Sequence, residues 1–143
     1  LGDVYKRQER HPPLMVIDTS AVMAILSNEP DAAHFARAIQ TDNVRLMSAA
    51  TFLEASIVIE ARYGQPGITK LDELLGIAQV SIEPVTHEQA LAAREAYRRF
   101  GKGRHPAGLN YGACFAYALS LQSGEPLLFK GTDFAHTDVA QVL

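Results

Sequence analysis

Apolar positions along this chain follow two periods, one short and one helical. Leu14-Met15-Val16-Ile17 is an unbroken apolar run, the pattern of a strand covered on both faces. Asp18-Thr19-Ser20 follows, and Ser20 is placed to cap a short helix over residues 21–27. Pro30 suits the first turn of a helix over residues 30–40. Val44-Arg45-Leu46-Met47 reads as a second strand. Ser48 then caps a helix that Gly64 ends, with Arg62 in its last turn. Thr69 is read as the cap of a helix over 70–78, and Gln79 to Val85 carries a third strand. Thr86 with Gln89 three residues on is a capping box, opening a helix that runs to Gly101. Residues 102–109 form a basic loop, Asn110 caps a long helix to Ser123, and Gly124 stands just past its end. Pro126 to Phe129 is a fourth strand, and Val139 to Leu143 is a candidate fifth. Strands separated by helices require crossover connections. The pattern therefore predicts an α/β fold with a mostly parallel sheet covered on both faces.

Composition bounds this picture. At 143 residues, 48% of them hydrophobic and 20% charged, the chain has the makeup of one globular domain. Residues 1–14 lack apolar periodicity and a hydrophobic signal core, and are read as a non-native leader or a disordered arm; residues 15–143 form the domain. The charge-free stretch from Leu109 to Gly124 is interrupted by Asn110, Ser120, Gln122 and Ser123, so no membrane span is predicted. A single cysteine, Cys114, makes no internal disulfide and fits a cytoplasmic setting. With a net charge of −3, bulk electrostatics do not advertise nucleic-acid binding; that would need a local basic patch.

The candidate chemistry lies in the carboxylates. Ligands of open α/β sheets bind beyond the carboxyl ends of the strands. Asp18 follows the first strand; Asp133 and Asp138 follow the fourth. A carboxylate there also serves as a plain helix cap. Glu54 has Ala50, Ile57, Val58 and Ala61 as its helical neighbours, which places it within an apolar stripe expected to face the sheet. A carboxylate in that position is costly unless it is paired with an arginine or bound to a metal. Glu60, beside Ser56 and Gly64, reads as a solvated rim residue. Three carboxylates from separate segments suit a hard cation such as Mg²⁺ or Mn²⁺. The chain has no GxSxG, phosphate-loop or GxGxxG motif, Cys114 reads as a core thiol, and the five histidines lack zinc-ligand spacing.

Val16-Ile17-Asp18-Thr19-Ser20-Ala21, Glu54 in its helix, Leu109-Asn110-Tyr111-Gly112-x-Cys114 and Leu128-Phe129-Lys130-Gly131-Thr132-Asp133-Phe134 occur in that order. Together they resemble the PIN domain and, more narrowly, VapC-type toxins of bacterial toxin–antitoxin pairs. The resemblance implies a three-layer α/β/α sandwich with a central sheet of four to five strands. It implies a Mg²⁺-dependent ribonuclease (with Mn²⁺ as a substitute) that cuts RNA by metal-activated water. It also implies inhibition by a cognate VapB-type antitoxin and a homodimer. Asp18, Glu54 and Asp133 match acidic catalytic and metal-ligand positions of that family; Ser20 and Asn110 match polar positions beside them. One position departs. Where the family pattern has Leu-Asn-Tyr/Phe-Gly-Asp-Cys, with the Asp a main metal ligand, this chain has Ala113. An introduced substitution and a natural degenerate copy both account for it, and either predicts weak Mg²⁺ affinity and little activity.

Arg94, Arg98, Arg99, Lys102 and Arg104 are five of the 13 Lys and Arg residues, concentrated ahead of the Asn110 helix. Arg99, Lys102 and Arg104 are the candidate RNA contacts; the same cations also suit a helix C-terminus. An antitoxin needs an apolar groove, and the region of Tyr63, Phe35 and Leu26 is the candidate. A second reading is a catalytically dead PIN-fold binding or regulatory protein that keeps the antitoxin and dimer surfaces. A third is a phosphoacceptor or phosphatase using Asp18 with Lys130, a scheme in which Glu54 has no role.

Overall fold

The computed structural model describes residues 14–41 and 44–142. Of the leader expected over residues 1–14, residues 1–13 lie outside the described residues and Leu14 opens the first strand; Leu143, at the end of the candidate fifth strand, also lies outside them. The strands are β1 (Leu14–Ile17), β2 (Val44–Ser48), β3 (Val80–Glu83) and β4 (Leu127–Leu128). They form a four-stranded sheet in the order β3-β2-β1-β4, and each neighbouring pair is parallel. The helices are α1 (Thr19–Leu26), α2 (Ala32–Thr41), α3 (Ala49–Ile77), α4 (His87–Phe100) and α5 (Tyr111–Ser123). Among the described residues, residues 139–142 form no strand; a single bridge joins Gln141 to Leu127.

The apolar run of β1 is explained by the layers around it. Met15 and Ile17 pack with α1, α2, Ala55 and the C-terminal half of α3; Val16 packs against α4 and α5. Successive side chains of one strand thus enter opposite cores, and neither face of β1 meets water. All three residues are fully buried.

Four local expectations change. Asp18, not Ser20, caps the first helix: its carboxylate accepts from the Ser20 N–H, so the helix begins at Thr19. Gly64 does break α3, with φ at 65° and ψ at −156°. No linker follows, however. Pro66 falls in the first turn of the resumed helix, where a missing N–H costs nothing. Thr69 is therefore interior, its hydroxyl donating to the Gln65 carbonyl, and caps nothing. The core-facing stripe of α3 is Thr51, Ala55 and Ile59, whereas Ile57 is 60% exposed. Glu54 consequently lies on the flank of the helix rather than in the stripe facing the sheet. Phe35, part of the expected antitoxin groove, is buried in the core.

The bend in α3 is sealed at Gly67. A Cβ there would stand 2.7 Å from the Tyr63 Cβ and 2.8 Å from the Ile59 Cγ2. Gly67→Ala should overpack this contact and destabilise the fold by about 1–3 kcal/mol. Urea unfolding should show a lower midpoint with an unchanged slope.

Candidate functional site

Strand order places the site. The chain moves from β1 outward to β3 on one side, then returns to add β4 on the other side of β1. The gap between the ends of β1 and β4 is the point where connections diverge, and ligands settle there in such sheets. Asp18 leaves β1 at that gap, its N–H donating to the Leu128 carbonyl of β4 at 3.0 Å.

A short relay orients Asp18. Its Oδ2 accepts from the Ser20 N–H at 3.0 Å and from the Ser20 hydroxyl at 2.7 Å. The same hydroxyl accepts from the Lys130 N–H at 2.9 Å. Because the Lys130 amide can only donate, the hydroxyl proton of Ser20 is committed to Asp18. Glu54 is held from another side: the Thr19 hydroxyl donates to Oε1 at 2.6 Å. Helix α5 starts against this carboxylate, and a Cβ on Gly112 would lie 1.9 Å from Glu54 Oε2. Only glycine allows α5 to approach that closely. Asn110 caps α5, its Oδ1 accepting from the Ala113 N–H at 2.9 Å.

Asp18, Ser20, Glu54, Asn110, Ala113 and Asp133 all line one cavity of about 210 Å³, together with Thr19, Val58, Lys130 and Phe134. Asp18 is buried, while Asp133 is exposed at the rim. Lys130 lines the same cavity, but its ammonium bonds the carboxylates of Glu29 and Asp31. That leaves the phosphatase scheme without its lysine. Among the described residues, no three histidine, cysteine or acidic side chains stand close enough to hold one ion. Arg99, Lys102 and Arg104 do not line the cavity. Arg99 lies over the Phe100 ring at 4.7 Å and 3.7 Å from Asp138, whose other oxygen accepts from the Tyr117 hydroxyl. Asp138 is thus occupied outside the cavity. Lys102 and Arg104 are exposed on a loop whose ends are zipped, Lys102 N–H to Leu109 and Leu109 N–H to Phe100. The roles of Thr19 and Gly112 went unread in the sequence: Thr19 carries no spacing signal toward Glu54, and Gly112 showed only as a motif letter.

Burial pushes the Asp18 carboxyl up to about 6, with the nearby Glu54 charge adding to the rise and the Ser20 bonds opposing it. Among the described residues no cationic side chain is bonded to either carboxylate. The donors are oxygens throughout, which fits a hard divalent cation better than zinc. Asp18 and Glu54 are the residues that fit it, with Asp133 at the mouth and the Ala113 wall offering no side-chain oxygen. In the folded chain Asp18 keeps its proton to a higher pH than in the unfolded one, where it titrates near 3.8. Its contribution to stability should therefore fall as pH rises from about 4 to about 7, by on the order of 3 kcal/mol. Asp18→Asn should remove that part of the profile. Urea midpoints of both chains at either end of this range would check it: the difference should grow in favour of Asp18→Asn as pH rises.

Comparison with known proteins gives the family. The PIN domain family model matches residues 15–140. Ribonuclease VapC30 of Mycobacterium tuberculosis is 59% identical over 128 residues, covering 90% of this chain and 98% of that protein. Ribonuclease VapC of Mycolicibacterium smegmatis is also 59% identical over 128 residues, covering 90% of this chain and 99% of that protein. Among solved structures, Mycobacterium tuberculosis VapC20, a Sarcin-Ricin loop cleaving toxin, superposes with a TM-score of 0.73 at 16% identity. That match covers 89% of this chain and 97% of VapC20. By family model, near-full-length identity and fold, the chain belongs to the PIN-domain family and, within it, to the VapC ribonucleases.

Proposed function

We propose that this chain is a Mg²⁺-dependent ribonuclease toxin of a toxin–antitoxin pair, and that Ala113 leaves it with weak metal affinity and reduced activity. The observation that carries the reading is the pair of carboxylates, Asp18 and Glu54, drawn into one cavity with the neighbouring ammonium of Lys130 engaged elsewhere. Relatives at 59% identity named as ribonucleases support it. Bound there, Mg²⁺ (or Mn²⁺) would supply an activated water and offset the charge that builds on the phosphate.

The chain's own residues have separate tasks in this reading. Asp18 and Glu54 would hold the ion, with Asp133 at the cavity mouth on the β4 side, too far out to complete a three-ligand set. Ser20 keeps Asp18 oriented, while Asn110 starts α5 at the right place. Position 113 is the third residue of that helix. An aspartate there would add an oxygen donor at the positive end of the helix dipole. Lys102 and Arg104 take RNA phosphates, and Arg99 joins them from its place over Phe100.

The cavity of about 230 Å³ lined by Leu26, Ile59, Tyr63 and Pro66 suits an apolar segment of a VapB-type antitoxin. A toxin–antitoxin complex from Klebsiella pneumoniae shares the fold, with a TM-score of 0.64 at 16% identity, covering 87% of this chain and 92% of that one. Leu53 and Ile57, 59% and 60% exposed on α3, support pairing of two copies as a homodimer. Among the described residues no helix is long and apolar enough to cross a membrane. The cytoplasm is the compartment this reading assigns. The bare α5 wall favours a second reading, a PIN-fold binding protein that keeps its partner surfaces without catalysis.

Cleavage of a labelled RNA with Mg²⁺ separates the two. Ala113→Asp should cut at least about 100-fold faster than the parent chain, since loss of a direct ligand exceeds the 10–100-fold typical of outer-sphere changes. Equal cleavage by both chains would overturn the metal reading, and silence in both would leave the binding protein. Replacing Lys102 and Arg104 by Gln should weaken RNA binding. It should also flatten the log–log salt dependence by about 0.7 for each phosphate no longer neutralised. A salt titration of binding checks this.

A further inference from the structure

We propose that the open slot between α4 and α5 binds one unpaired nucleobase of the substrate RNA, with the Tyr111 ring as its stacking face. The proposal rests on the ribonuclease reading above and names how the substrate is gripped beside the cut. The slot has a volume of about 280 Å³ and is lined by Ala90, Ala93, Arg94, Tyr97, Tyr111 and Phe115, with Cys114 at its base. Ala90 and Ala93 leave the α4 wall flat. Tyr111 is 78% exposed yet held edge-on to Phe115, with ring centroids 5.0 Å apart. Its ring is therefore oriented without being covered.

Position and charge select the occupant. Asn110 and Ala113 line the acidic cavity, whereas Tyr111 and Cys114, on the same turn of α5, line the slot. A strand whose phosphate sits at the carboxylates thus has the first turn of α5 between that phosphate and the slot. Arg94 stands at the slot and makes no ion pair among the described residues, unlike Arg98 and Arg99. Lys102 and Arg104 are exposed on the loop joining the two helices. An aromatic face with a cation beside it is the arrangement that takes an unstacked base and its phosphate. A second copy of this chain is a poorer occupant. A two-fold contact would set this patch against itself, burying the Arg94 charge against a lining that holds no carboxylate.

The test uses the chain as it stands, in EDTA, so that binding is read without cleavage. Short single-stranded RNAs carry 2-aminopurine at each position in turn. Quenching should concentrate at one position. Tyr111→Leu should abolish it and weaken binding about 5- to 100-fold, while Tyr111→Phe keeps both. Arg94→Gln should lower the salt slope by about 0.7. Unchanged quenching and affinity in Tyr111→Leu would overturn the proposal. So would a parent dimer that Tyr111→Leu converts to monomers, which would give the slot to a second copy. Because no cleavage is needed, stacking with an inactive Ala113→Asp chain would sink the catalytic reading alone.

Discussion

A buried carboxylate with no bonded cation among the described residues is the constraint around which this fold is arranged. Asp18 sits where β1 ends, out of water, with a second carboxylate near enough to disfavour its charge. Among the described residues no cationic side chain is bonded to it. What the protein supplies instead is direction: two bonds from Ser20, the second set by a backbone amide of the strand extension after β4. The Glu54 carboxylate is anchored by Thr19, the residue next to Asp18. The two acids are thus located by neighbouring residues of a single turn, although they come from different elements. Stability is given up locally so that negative charge stays concentrated at one point.

The topology explains why distant segments meet there. Each parallel strand delivers its following residues to the same edge of the sheet, so the ends of β1 and β4 open beside each other. Helices α3 and α5 then bring Glu54 and Asn110 to that edge from opposite layers. Lys130 closes the arrangement. Its backbone serves Ser20 while its ammonium ties the α1–α2 connection through Glu29 and Asp31. One residue thereby couples the loop after β4 to the far side of α1.

Much of this was legible in the residues because it depends on local rules. The β1 run reports burial on both faces; Asn110 and Gly124 bracket α5 by capping chemistry, Gly124 at a φ of 73°. Thr86 accepts from the Gln89 N–H as its spacing predicts. Asp18, Glu54 and Asp133 reach one cavity through motif order rather than through periodicity. Where periodicity was used for Glu54, it pointed to the wrong face. Ile57 and Ala61 are apolar yet exposed, so the stripe that faces the core is offset from the one the pattern suggested. Pattern counts apolar residues without knowing which surface another molecule or another copy will cover. Gly64 misled for a different reason: it bends the chain, but Pro66 restarts the helix at once. Thr19 was invisible because its partner is 35 residues away and the bond depends on side-chain reach alone.

The near contact between Glu54 and position 112 ties two choices together. With Oε2 where a methyl group would otherwise sit, the length of one side chain dictates the absence of the other. A descendant of this chain could enlarge residue 112 only after shortening or turning the acid on α3, and the reverse order would be blocked. The glycine is therefore less a hinge than a reserved volume, and the acid is what occupies it.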